Sequence, residues 1–226
     1  MTARFGAFGK FPALGDFFRL DLPQGFVDPW DRWLQEGMVA TRAQLGEGWQ
    51  DCYFSAPIWR FTLSPGILGA SGMLGVMMMS VDRVGRQFPL TLATPLGDGQ
   101  PAMLEHFRQE AAFLALEDLA LDALEDAMTR DALAERLRGV DLAPPMPPVR
   151  FELAQGGLVA QGGGPGTLPA ATAAELAGAR FRKPSVWSAE LNGAMRMMIC
   201  EGLPAGGQMA GLFDMAAQVW HEREDA

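Results

Sequence analysis

The sequence predicts an α/β protein: a mixed β-sheet covered by helices on both faces, a three-layer α/β/α sandwich forming a single compact domain. Three observations predict it. Strand-like and helix-like segments interleave along the whole chain, which is the pattern of helices packed on a sheet. The run Gly72–Ser80 is continuously apolar, as a central strand buried on both faces requires. Asn192-Gly193 joins two short strand-like segments, a hairpin signal that argues against a purely parallel sheet. With 226 residues, 49% of them hydrophobic, the chain can bury a core without disulfides or metals. No internal repeat is visible.

Taken in order, Arg4–Phe8 reads as a short first strand, followed by a loop from Gly9 to Asp16 punctuated by Pro12 and Gly15. A helix follows, with Asp28 as N-cap and Pro29 at the first helical position. Trp30, Trp33, Leu34, Met38, Thr41 and Leu45 recur at helical spacing, and Gly46 ends the pattern. Pro57–Leu63 alternates, with Trp59, Phe61 and Leu63 on one face; Phe88–Thr94 is a further strand. Met103–Met128 reads as the longest helix, with Phe107, Phe113, Leu114, Leu116, Leu121 and Leu124 as a broad apolar face. A short helix over Arg130–Arg138 has Thr129 as N-cap and Gly139 behind it.

The Pro-rich segment 143–148 is stiff and marks an internal boundary. Beyond it lie short strands at Val149–Leu153 and Leu158–Ala160, a loop at Gly162–Gly166 and a helix over Ala170–Ala179. The hairpin Ser185–Leu191 and Ala194–Cys200 follows, and a closing helix over Gly207–Trp220 ends the series. Phe61–Val81 carries no charge and is long enough to cross a bilayer. Pro65, Gly66, Gly69, Gly72 and Gly75 interrupt it, so it reads as two buried strands with a glycine-rich connection, and no membrane insertion is expected. No basic region followed by an apolar core opens the chain, so no signal peptide is expected.

The formal charge is −9 and no basic run offsets it, which argues against nucleic-acid binding. Catalytic material is sparse. The two cysteines, Cys52 and Cys200, sit in apolar surroundings and read as buried free thiols. His106 and His221 read as surface histidines. There is no G-x-S-x-G elbow, and no Cys/His cluster for zinc; no metal or cofactor is expected. Gly6-Ala7-Phe8-Gly9-Lys10 does not make a phosphate loop, because two residues separate its glycines and Phe11 follows the lysine. The carboxylates Glu117-Asp118, Glu125-Asp126 and Glu222–Asp225 read as solvated helix faces and tail.

Two polar clusters stand out within apolar sequence: Gly9-Lys10-Phe11-Pro12 through Gly15-Asp16-Phe17, and Ser80-Val81-Asp82-Arg83-Val84-Gly85-Arg86-Gln87-Phe88-Pro89-Leu90. Each follows a predicted strand, where sites in α/β sheets gather. Lys10, Asp16, Asp82, Arg83 and Arg86 are the candidate site residues. Either Asp16 or Asp82 pairs with Arg83 or Arg86 to tie two loops together, or the set forms a recognition surface. Arg83 and Arg86 are the best partner contacts, since guanidinium groups bind carboxylates at two points.

These clusters, with Leu22-Pro23, Phe26, Trp30-Asp31-Arg32-Trp33-Leu34 and Pro57-Ile58-Trp59-Arg60-Phe61, resemble the TagF/ImpM family. Lys183-Pro184-Ser185-Val186-Trp187 and Gly202-Leu203-Pro204 resemble its C-terminal part, so the resemblance spans roughly residues 4–215. It implies a single TagF-like domain, an α/β sandwich, and a cytoplasmic, non-enzymatic accessory protein of bacterial type VI secretion. It also implies a post-translational repressor that binds a forkhead-associated-domain scaffold. The alternatives are an enzyme holding a phosphorylated or nucleotide substrate with Lys10, Arg83 and Arg86, and a structural subunit of the secretion apparatus.

Overall fold

A computed structural model describes residues 4–221 apart from 98, 100, 126 and 165. Its elements are β1 (Gly6–Gly9), β2 (Phe18–Leu20), α1 (Gln24–Leu45), a short 3-10 turn at Gly46–Gly48, α2 (Trp49–Ser55), β3 (Trp59–Leu63), β4 (Met73–Met78) and β5 (Leu90–Pro95). Then come α3 (Ala102–Arg108), α4 (Glu110–Asp122), α5 (Arg130–Arg138), β6 (Val149–Ala154), β7 (Gly157–Gly162) and α6 (Leu168–Gly178). β8 (Pro184–Leu191), β9 (Ala194–Glu201), α7 (Gly207–Ala210) and a 3-10 turn at Gln218–Trp220 complete the chain.

Seven strands form one sheet in the order β2-β1-β5-β4-β3-β8-β9, and β6-β7 form a separate two-stranded sheet. Every pairing is antiparallel, which corrects the expectation of a mixed sheet. The interleaving of helices and strands suggested parallel crossovers. Instead β3, β4 and β5 return on one another directly, and the helices between β5 and β8 are crossed without creating a parallel neighbour. The β8–β9 turn has Asn192 at φ 54 and Gly193 at φ 77, the positive pair that a two-residue hairpin demands.

Alternation along β3 sorts the chemistry. Trp59, Phe61 and Leu63 enter one core cluster with Phe26, Val27, Trp30 and Leu34 of α1. There Trp30 lies 4.8 Å from Phe61 and stacks on Trp187 of β8 at 6.1 Å. Its indole N–H still finds a partner, Thr91 Oγ1 at 3.0 Å, as a buried tryptophan requires. A second cluster joins Leu74, Val76, Leu90 and Leu92 of the sheet to Phe113, Leu116, Leu133 and Leu137 of α4 and α5. The interposed positions of β3, Arg60 and Thr62, are also buried, and their polar ends meet α3 and α4.

Several predicted boundaries move, each because tertiary contacts override local signals. Helix α1 begins at Gln24 rather than at Asp28-Pro29, because the extra turn buries Phe26 and Val27. Pro29 therefore sits inside the helix and denies the Gly25 carbonyl its usual donor. The predicted helix Met103–Met128 breaks at Gln109, whose φ is −95 and ψ 32. The buried Gln109 amide accepts from Ala143 N–H at 2.7 Å and donates to Glu105 at 2.7 Å, and Arg108 bonds the Pro144 carbonyl. The Pro-rich segment is thus fastened to α3, and strands from either side of it pair as β3–β8. After the break the core stripe is Ala112, Phe113, Leu116, Leu119 and Ala120; Phe107, Leu114, Leu121 and Leu124 are exposed instead of forming the predicted face.

The closing helix shortens to Gly207–Ala210. The indoles of Trp220 and Trp59 take the carbonyls of Gly211 and Leu212 at 2.9 and 2.7 Å, and Trp220 stacks on Trp59 at 5.8 Å. A continued helix would need those carbonyls for itself. The acidic tail Glu222–Asp225 and Asp126 lie outside the described residues.

Candidate functional site

β1 delivers Lys10 to the site. At the strand end, Gly9 has φ 130 and an added Cβ would come within 2.0 Å of the Pro89 carbonyl, so glycine is required there. The Lys10 side chain is buried and its ammonium reaches Asp82 Oδ2 at 3.0 Å while lying 4.7 Å above the Phe17 ring. Asp82 belongs to a tight loop after β4, closed by the Val81–Gln87 bridge and by Gly85 at φ 81. Its Oδ1 accepts from the Val84 and Arg86 backbone N–H groups at 3.1 and 2.9 Å. Its Oδ2 accepts from Arg86 Nε at 2.6 Å as well as from Lys10.

Arg86 continues the chain of contacts by donating from Nη2 to the Gly15 carbonyl at 2.7 Å, and Arg83 N–H donates to the Leu14 carbonyl at 3.1 Å. The two polar clusters of the sequence therefore meet, joined through Lys10, Asp82 and Arg86. Burial alone raises the Asp82 carboxyl. The Arg86 backbone N–H, the Lys10 ammonium, the Arg86 guanidinium and the Val84 N–H together outweigh burial and hold it well below the usual carboxylate range. The side chains of Asp16 and Arg83 are not part of this network. Asp16 is exposed and accepts the Phe17 N–H at 2.8 Å, while Arg83 is exposed and has no ion pair among the described residues.

A second buried polar set was not legible in the sequence. Arg60 donates to Glu117 from Nε and Nη2 at 2.6 and 2.8 Å, and to Glu110 from Nη1 at 2.8 Å. Next to it, His106 is buried rather than on the surface, and Glu117 is engaged rather than solvated. The His106 ring nitrogens meet Thr62 Oγ1 at 3.0 Å and Ser188 Oγ at 2.8 Å. Burial first, and the Arg60 charge second, push the imidazole down to about 3. The usable signal was the Trp-Arg-Phe-Thr-Leu alternation of β3, which places Arg60 and Thr62 opposite the aromatic face.

The His106–Ser188 contact has the spacing of a base and a nucleophile, yet both residues are nearly sealed from solvent and the third partner is a hydroxyl, not a carboxylate. The thiols are free, and burial pushes Cys200 up to about 11. Among the described residues no group of three or more His, Cys, Asp or Glu side chains is placed to hold a metal ion, and no helix is long and apolar enough to cross a membrane.

Both the sequence and the fold have counterparts among known proteins. Residues 6–140 match the sequence model of the TagF N-terminal domain, described as type VI secretion system-associated. The crystal structure of PA0076 from Pseudomonas aeruginosa PAO1 is similar with a TM-score of 0.78 at 32% identity, covering 98% of this chain and 99% of that one. No curated protein matches the chain. The molecule is thus a type VI secretion accessory protein. The chain belongs to the TagF family.

Proposed function

We propose that the chain is a cytoplasmic, non-enzymatic negative regulator of type VI secretion that acts after translation by binding a forkhead-associated-domain scaffold protein. The observation that carries this reading is the TagF match over residues 6–140, which takes in both charged loops. In this reading Lys10, Asp82 and Arg86 tie the loops together, and Asp16 and Arg83, which are exposed, face the partner. The whole chain acts as one TagF-like domain with a three-layer build, since the sheet uses strands from both sides of the Pro-rich segment and carries two separate core clusters. The enzyme alternative loses its support on Lys10, because its buried ammonium is already committed to Asp82 and is not free for a phosphate.

The test is purification of the tagged protein from cells with an intact type VI cluster, read by mass spectrometry. Recovery of a forkhead-associated-domain protein, reduced with the R83A variant, supports the regulator. Recovery of stoichiometric sheath or baseplate proteins instead would establish a structural subunit. Recovery of no secretion component would sink both.

A further inference from the structure

The C-terminal end of α1, α2 and the Asp82 loop enclose a surface cavity of about 630 Å3 whose lining includes Arg42, Glu47, Phe54, Arg86 and Gln87. We propose that it is a docking pocket for a segment of a partner protein that presents an aspartate or glutamate side chain beside a bulky apolar one. This deepens the reading of the chain as an interaction protein and rests on it.

Charge selects the carboxylate. Two arginines face one glutamate in this lining, on a chain whose formal charge is −9. A net positive lining on a net negative chain favours an acidic segment here, in both encounter and register. Arg42 has no ion pair among the described residues.

Arg86 is prepared for the same task. Its Nε is held by Asp82 and its Nη2 by the Gly15 carbonyl, leaving Nη1 without a protein partner among the described residues. A guanidinium already fixed at two points loses little freedom when it binds a third group. Trp49 fixes the neighbouring donor as well. Its indole N–H donates to Gln87 Oε1 at 2.7 Å, which assigns the carbonyl side of that amide and leaves its NH2 for an acceptor. The buried Lys10–Asp82 pair thereby acquires a purpose beyond joining loops: it anchors the base on which Arg86 is held.

The apolar half of the partner follows from the rim. Val39 is 71% exposed and Phe54 is 56% exposed, one on α1 and the other on α2, both lining the cavity. Large apolar side chains beside fixed polar donors form the usual centre of a recognition site, where an anchor residue displaces water from both.

The experiment is selection of random dodecapeptides displayed on phage against the immobilised full chain, with R42Q and F54S as counter-targets. Both positions are exposed, and circular dichroism verifies that each variant folds. Recovered peptides are expected to pair Asp or Glu with Leu, Ile, Phe or Met, and to bind R42Q about tenfold more weakly, or worse. F54S should weaken the same peptides through their apolar residue. Recovery of no peptide, of peptides without the acidic–apolar pair, or of peptides that bind R42Q and wild type equally would overturn the proposal. So would self-association of the chain abolished by F54S, which would make a second copy the occupant. The scaffold pull-down separates the two readings. If R42Q loses the peptides but keeps the scaffold, the pocket is not the scaffold's docking point and the regulator stands. If wild type selects the peptides but recovers no scaffold, the pocket stands and the regulator fails.

Discussion

Arg60 of β3 and Glu117 of α4 meet at two points, Nε to Oε1 at 2.6 Å and Nη2 to Oε2 at 2.8 Å. The pair crosses from a central strand to a covering helix and is reinforced by Glu110. The buried Arg60 also lies 5.5 Å from the Phe113 ring. The guanidinium is thus desolvated by a core that only its carboxylates make tolerable.

Removing Glu117 should therefore hurt more than removing both partners. E117A leaves Arg60 with Glu110, which is mostly exposed. The expected loss is about 3 kcal/mol in urea unfolding, because the buried guanidinium keeps one exposed carboxylate in place of its two-point partner. The double variant R60M/E117L should recover most of that loss. Equal losses in the single and double variants would show that the helix, not the charge, depends on Glu117.

Asp82 should make stability fall in acid. Its folded-state carboxyl is held below its ordinary value of 3.8, so its contribution is present above that value and disappears as pH falls toward the folded value. Urea midpoints measured at neutral pH and near pH 3 should converge between wild type and D82N as the medium is acidified. A gap between the two that is independent of pH would contradict the arrangement of donors around the carboxylate.

His106 governs a different window. Its ordinary value is 6.5 and its folded value about 3, so the unfolded chain gains a proton that the folded one refuses. Stability should decline from about pH 6.5 downward, by at most ~1.4 kcal/mol per pH unit for the one proton involved. H106Q should remove this slope, and the His106 ring carbon–proton signals should not titrate between pH 5 and 8. A mid-range titration would place the ring in contact with solvent.

What the sequence disclosed, it disclosed through local chemistry. The α5 cap was legible because the Thr129 hydroxyl answers the Ala132 N–H within one turn. The β8–β9 hairpin was legible because two adjacent residues need positive φ. The meeting of the two loops was approachable because Lys10, Asp82 and Arg86 stand out from apolar neighbours. The failures have the opposite character. The helix break at Gln109 depends on Ala143, the short closing helix depends on Trp59, and the burial of His106 depends on Ser188. None of these partners lies near its counterpart in the chain, so no periodicity could reveal them. Antiparallel strand sense was missed for the same reason, being a property of how distant strands land.

The β3–β8 pairing also has a consequence during synthesis. Arg60–Leu63 is built early, while its neighbour Ser185–Ser188 follows more than a hundred residues later. Until that stretch leaves the ribosome, β3 presents an open apolar edge, and Phe61 and Trp30 lack the ring of Trp187. The nascent chain must wait with the side of its aromatic core that Trp187 and Phe213 close still open, so truncation after the Pro-rich segment is expected to favour aggregation.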